Sequence, residues 1–297
     1  MAAPDLAALR QAGRIAAAAR LFGVSQVRAG RTLSAVRSAV EAEIARLGGG
    51  LAFPVQIAVN ETAAHFCPAA DDASAVADGD LAKLDIGVHI DGWVVDTAVT
   101  VNVGSRPERQ ALVDAAEAAL QAALSAAGPG VPIHAVSQAI AAVLRSRGLR
   151  PVESLCGHGV GRWTVHCPPA VPNRPEGDPR TRLEADTVVA VEVFATQGDG
   201  RVEERGEAAI HRLDPLTSAE SSDPELLSVM RAFKGLPFAA HQLSGFPAER
   251  VAAAVAVLRA AGRLRSYRPL VDAGGAAIAQ AEHTIYVHED RVEALTL

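Results

Sequence analysis

Five residues, far apart in the chain, are of the kinds that hold hard divalent cations: Asp85, Asp96, His158, Glu192 and Glu282. The aspartates lie in LDIGVHIDGWVVDT, the histidine in CGHGVG, and the glutamates in the apolar runs VVAVE and AIAQAEHT. Four carboxylates and an imidazole are too many ionisable groups for a core unless a cation neutralises them. Four oxygen donors and one nitrogen suit a pair of divalent ions better than a thiolate-bound structural zinc. The competing readings are solvent-facing aspartates on an open hairpin, a bystander histidine, and glutamates on edge strands facing water.

The hairpin supports the first reading. Residues 82–103 alternate in polarity and turn at Asp91-Gly92, a two-residue hairpin signal. With that dipeptide as the centre, Asp85 faces Ala98, and Asp96 stands two places from Ala98 on the same strand. Both aspartates then share a face as diagonal neighbours, and the small alanine leaves room for an ion. Gly157 and Gly159 around His158 let the backbone bend tightly and leave space for the imidazole.

The elements that must position these residues follow from periodicity and stop signals. Helices are expected over 4–21 and 30–47, the second stopping at Gly48-Gly49-Gly50. LAFPVQIAVN is strand-like with an irregularity at Pro54, and a polar loop carrying His65 follows. Further helices are expected over 106–127 and 134–147, then strand, glycine turn and strand over 153–172, and an apolar strand over 186–196. The segment 206–268 changes style, with Pro, Ser and Asp clusters and helices near 222–234, 236–242 and 247–261. It reads as a small helical insertion, after which strands return.

Composition narrows the class. Of 297 residues, 49% are hydrophobic but only 4% aromatic, so the core is aliphatic and alanine-rich. A net charge of −6 gives no basic footprint for neutralising phosphates. No apolar run is long enough to span a bilayer, and the amphipathic start lacks the pattern of a signal peptide. Cys67, Cys156 and Cys167 form no CxxC pair, which fits a reducing cytosol rather than a disulfide framework or a zinc clip. Cys156 precedes His158 by two positions, but that imidazole is better used as a metal ligand than as partner to a cysteine nucleophile.

Taken in order, FPVQIAVNETAAHFCP, LDIGVHIDGWVVDTAVTVNVG, GHGVGRWTVHCPPAVPN, VEVFATQGDG and AQAEHTIYV resemble the pita-bread metallopeptidases, specifically the archaeal kind of type 2 methionine aminopeptidase. The likeness runs over nearly the whole chain, and the interval of 11 from Asp85 to Asp96 is the family's spacing. LPFAAHQL and AERVAAAVAVLRAAGRLRSYRPL resemble the insertion that separates type 2 from type 1 enzymes.

The resemblance implies an α+β pita-bread fold of antiparallel sheets flanked by helices. Residues 1–205 and 269–297 would form the catalytic domain, and 206–268 a winged-helix-like insertion. It implies two divalent ions (cobalt, manganese, iron or zinc) held by the five residues. Asp96 and Glu282 would bridge both ions, Asp85 would complete one site, and His158 with Glu192 the other. His65 and His166 match two histidines near the substrate; without the resemblance either reads as a surface histidine. The implied reaction removes the N-terminal methionine of nascent proteins that have a small second residue. Metal-activated hydroxide attacks the first peptide bond, His65 or His166 polarises the carbonyl, and Glu192 serves as general base and proton shuttle.

Phe53, Ile57, Val165 and Phe194 are candidates for an apolar methionine pocket, with His211 either beside it or at the surface. CPPAVP after His166 and Val193 after Glu192 depart from the family pattern and are expected to reshape the pocket without touching a ligand. The expected setting is a cytoplasmic monomer acting on nascent N-termini, with the ribosome as a candidate partner and no membrane or sequence-specific nucleic acid. Two alternatives stand beside it. One is a prolidase or aminopeptidase P type hydrolase, which usually carries an extra N-terminal domain. The other is a non-catalytic binding relative, which tends to lose the ligands kept here.

Overall fold

A computed structural model of the chain describes residues 4–214 and 223–297. Two helices open it, α1 (Leu6–Gln26) and α2 (Leu33–Arg46), followed by short strands β1 (Gly50–Leu51), β2 (Gln56–Val59) and β3 (Thr62–Ala64). The hairpin β4 (Leu81–Ile90) and β5 (Trp93–Asn102) comes next, then a second helix pair, α3 (Pro107–Ala126) and α4 (Ile133–Ser146). β6 (Arg150–Pro151), β7 (Cys156–Gly161), β8 (Thr164–Pro172) and β9 (Thr187–Thr196) follow, and then β10 (Val202–Glu204) and β11 (Ile210–Leu213). The remainder is α5 (Pro224–Ala232), β12 (Phe238–Ala239), α6 (Ala248–Ala260), β13 (Leu264–Tyr267), β14 (Leu270–Asp272), β15 (Ile278–Val287) and β16 (Val292–Ala294).

Local chemistry sets the helix ends. The Asp5 carboxylate accepts from the Ala7 and Ala8 amides at 3.1 Å, capping α1, and Thr32 Oγ1 accepts from Ala35 at 3.2 Å, capping α2. Gly48, at φ 85°, supplies the left-handed turn that stops α2. The two helix pairs repeat each other one hundred positions apart. Gly30 and Gly130 turn at φ 82° and 73°, α2 and α4 both span 14 residues, and Gly48 and Gly148 end them. Their buried faces share only aliphatic character, Val36, Val40 and Ile44 against Val136, Ile140 and Leu144, which leaves no readable sequence motif.

The main sheet runs β1-β4-β5-β15-β9-β7-β8, and its paired strands are antiparallel. Helix α1 packs on β4 and β5, and α3 on β9 and β15. Alternation sends Leu84, Ile86 and Val88 of β4 and Val189, Val191 and Val193 of β9 to that helical side, where all are essentially fully buried. Each such side chain contributes about 1.5–3 kcal/mol. Two separate aliphatic clusters result, one under α1 and α2 and one under α3 and α4. The opposite face, carrying the even positions of β9 and β15, is left for the site.

Several expectations change here. The hairpin forms as read: Asp91 and Gly92 take φ 50° and 86°, the two positive values of a type I′ turn. Over 153–172, however, Gly157 and Gly159 lie inside β7, and the reversal falls at Arg162-Trp163. The segment holding His65 is not all loop, since β3 pairs with β14. The helix near 236–242 is replaced by β12 and a single 3-10 turn, Ala240–Leu243, because Pro237 disfavours a helical Leu236. The expected start at 222 lies outside the described residues; α5 begins at Pro224. Leu213, Leu226, Met230, Phe238 and Leu258 share a core of their own around the sheet β12-β11-β13, whose short strands periodicity did not reveal. Among the described residues no helix is long and apolar enough to cross a membrane.

Candidate metal centre

The sheet register places the five predicted ligands in two adjacent rows on one face. In the first, Asp85 pairs with Ala98, Ala98 with Glu282, and Glu282 with Glu192. In the second, Gly87 pairs with Asp96, Thr284 with Ala190, and Ala190 with His158. The second row closes through Thr284 Oγ1, which accepts from the Asp96 amide and donates to the Asp96 carbonyl, both at 2.7 Å. Thr100 Oγ1 makes the same double contact with the Gln280 backbone, and Thr97 Oγ1 donates to the Glu282 carbonyl. Direct pairing of β5 with β15 is confined to two residue pairs, so these hydroxyls stitch the middle of the sheet.

The electrostatics are those of a cation site. Asp96 and Glu282 are 4% and 1% exposed, and Asp85 and Glu192 are half-buried where they line the cavity. Ligand atoms of Asp96, His158 and Glu282 lie within 4.8 Å of one another. Asp85 Oδ1, Asp96 Oδ1 and Glu282 Oε1 are buried without any hydrogen-bond partner, an arrangement that native cores otherwise avoid. Burial, and for Asp96, Glu192 and Glu282 also the neighbouring carboxylates, raise all four acids; Asp85 is pushed up to about 7. His158 is pushed down to about 4 by burial and is therefore neutral at pH 7. Its Nδ1 lies 3.3 Å from the Gly159 carbonyl, which places the proton there and leaves the Nε2 lone pair on the Asp96 side, 3.9 Å from Oδ2. The donor set thus fits one or more divalent ions.

The glycines beside His158 act differently from the expectation. A Cβ on Gly157 would meet the Ala190 carbonyl oxygen at 2.5 Å, and one on Gly159 the Pro168 carbonyl oxygen at 2.3 Å. They permit close approach of neighbouring strands, with no tight bend.

All five predicted ligands line one cavity of about 460 Å³ together with His65, His166, Phe53, Val165 and Phe194. His65 is held at φ 63°, an uncommon conformation for a non-glycine residue, and its amide donates to Gln56 Oε1 at 2.7 Å. The His166 ring sits 4.2 Å from that of His158 and is pushed down to about 3 by burial and then by His158. His65 is half-buried, whereas His166 is exposed; both line the cavity. Phe53 fits because Gly87 beneath it has no side chain; a Cβ there would lie 2.3 Å from the ring.

Three pocket expectations are corrected by strand alternation. Ile57 pairs with Leu84 and points to the helical core. His211 reaches neither the cavity nor the surface: it is 7% exposed, its Nδ1 is 2.9 Å from Ser266 Oγ, and it faces Phe238. Val193 is fully buried against the α3 side, away from the pocket.

Sequence reading missed several residues of the site. Gln280 stands two positions before Glu282, so period two alone predicts its place on the same face; its amide reaches Glu192 Oε2 at 3.5 Å. Asn173 holds the β9 backbone at both ends of the glutamate, donating to the Glu192 carbonyl at 2.8 Å and accepting from the Phe194 amide at 2.8 Å. Lys83 is fully buried, and its ammonium donates to the carbonyls of Asn60 and Ile278. Arg212, Arg265 and Tyr267, contributed by β11 and β13, also line the cavity.

Comparison with known proteins agrees with this geometry. A model of metallopeptidase family M24 matches residues 7–289. A methionine aminopeptidase of Pyrococcus horikoshii is 36% identical over 296 residues, covering 98% of this chain and 99% of the relative. Among solved structures, methionine aminopeptidase from Thermotoga maritima superposes with TM-score 0.72 at 23% identity, covering 99% of this chain and 98% of that one. A thermophilic Arx1 reaches 0.84 at 18% identity, covering 99% and 91%. These two likenesses establish the α+β pita-bread fold. Full-length similarity and the family match together show that the chain belongs to metallopeptidase family M24, among its methionine aminopeptidases.

Proposed function

We propose that the chain is a type 2 methionine aminopeptidase that releases the initiator methionine of newly made proteins whose second residue is small. The observation that carries this reading is the set of three buried, unpartnered carboxylate oxygens on Asp85, Asp96 and Glu282, beside a neutral His158. Asp96 and Glu282 would hold two divalent ions in common, with Asp85 completing one site and His158 and Glu192 the other. Divalent ions at such a site supply Lewis acidity, which polarises a carbonyl and lowers the pKa of a coordinated water.

The chain's own residues would do the rest. The acidic floor favours the charged α-amine of a chain terminus, which an internal peptide bond lacks. Phe53, Val165 and Phe194 would receive the methionine side chain. His166 and His65, kept uncharged by burial, would donate hydrogen bonds to the scissile carbonyl oxygen as charge develops on it. Glu192, with its pKa raised and Gln280 near its oxygen, would accept a proton from the attacking water and pass it to the leaving amine. Residues 206–268 would form a subdomain with its own core that roofs the cavity.

The test is hydrolysis of Met-Ala-Ser against X-Pro peptides with cobalt, manganese, iron or zinc added to chelator-treated protein, with bound metal counted. Cleavage of Met-Ala-Ser with two ions per chain is expected. Cleavage of X-Pro peptides alone would move the chain to the prolidase type, and chelator-insensitive protein without activity would make it a binding relative.

A further inference from the structure

Arg212 on β11 and Arg265 on β13 are directly opposed across the strand pair, on the face that also presents Ile210 and Tyr267 to the cavity. Like charges opposite each other in a sheet destabilise it. Yet among the described residues neither guanidinium has an ion pair or hydrogen bond to relieve this. Arg212 is half-buried and Arg265 exposed, and the Arg265 guanidinium rests over the Tyr267 ring at 5.1 Å, which limits its freedom. The same two arginines also line a second hollow of about 320 Å³ with Arg263 and one acid, Asp214, so that three guanidiniums stand against a single carboxylate there. A positive rim therefore stands over an acidic floor and continues outward from the cavity.

We propose that Arg212 and Arg265 form a subsite for a carboxylate on the substrate downstream of its second residue. This rests on the aminopeptidase reading above. A substrate bound with its amine at the acidic floor and its first side chain in the apolar pocket has an outgoing chain that must pass the insertion. There, two unpaired guanidiniums offer charge-assisted, forked hydrogen bonds to a carboxylate. The carboxylate can come from an Asp or Glu side chain or from the C-terminus of a short peptide. A new protein presents only the first of these at this distance.

The experiment compares kcat/KM on four peptides: Met-Ala-Ser-Ser amide, Met-Ala-Asp-Ser amide, Met-Ala-Ser-Asp amide and Met-Ala-Ser-Ser free acid. Each is measured with the metal-loaded full chain and with Arg212→Gln, Arg265→Gln, Arg265→Lys and the double glutamine variant. An aspartate at the third or fourth position is expected to raise kcat/KM about five- to twentyfold, chiefly through KM. High salt should shrink the gain. The ratio of acidic to neutral peptide should fall toward one in the double glutamine variant and be partly kept by Arg265→Lys. A gain only for the free acid assigns the subsite to peptide termini. Equal ratios in wild type and variants, with the neutral peptide cleaved, would overturn the subsite while leaving the aminopeptidase reading intact. No cleavage of any peptide would overturn both.

Discussion

Replacing Asp85 with Asn is expected to abolish activity and yet stabilise the metal-free chain, and the size of that effect follows from burial. The Asp85 carboxyl ionises at about 7 in the folded protein against an ordinary value of 3.8, because the site strips it of water. A raised carboxyl pKa contributes stability that is fully present below the unfolded value and is lost as pH climbs through the folded one. Once both states are ionised, the loss from this one group is about 4 kcal/mol, at 1.36 kcal/mol per pH unit of separation. The edge of Asp85 that faces the cavity stays hydrated, which reduces this to about 2–4 kcal/mol, or about 4–8 °C in Tm for a domain of this size. The assay is thermal unfolding of wild type and Asp85→Asn in chelator at pH 5 and pH 8. The variant should gain several degrees at pH 8 and about a third to a half as much at pH 5, because the loss sets in above the unfolded value of 3.8. Added divalent metal should raise the wild type by more than the variant, which keeps the other four predicted ligands. A variant that melts below the wild type at pH 8 in chelator would refute the premise that uncompensated charge is stored in this site.

Glu282→Gln should lower kcat/KM by about a thousandfold or more and reduce bound metal, since Glu282 is one of the three residues whose ligand atoms cluster within 4.8 Å; titration of metal content with peptide turnover checks both. His166→Ala should cut kcat by about a hundredfold with metal content unchanged, because His166 touches the cavity but is not among the clustered ligand atoms. Gly159→Ala drives a methyl against the Pro168 and Cys167 carbonyl oxygens, at 2.3 and 2.9 Å, and should cost about 2–4 kcal/mol, read as a fall in chemical-denaturation midpoint.

How much of this was legible depended on the physical source of each signal. The Asp91-Gly92 turn fixes register by itself, so the placement of Asp85 opposite Ala98 followed from local chemistry alone. Helix limits near Gly48 and Pro107 were equally local. Strand alternation, where the register was known, would also have excluded Ile57 and recovered Gln280. The placement of His211 was out of reach because β11 has only four residues and pairs with β13, which begins only at Leu264, a contact no short window contains. Glycine in β7 was misjudged for a related reason: a tight turn and a close strand neighbour demand the same missing Cβ, and only the partner strand distinguishes them.

The threonine-stitched boundary between β5 and β15 has a mechanical consequence. On one side lie the first helix pair with Asp85 and Asp96; on the other lie the second pair with Glu192, Glu282 and His158. Cations held between these groups would act as rivets across a boundary where β5 and β15 pair directly at only two residue pairs. Loss of the ions should therefore loosen the joint before it loosens either half, and amide exchange along Thr97, Ala98 and His283 is where that parting would first register.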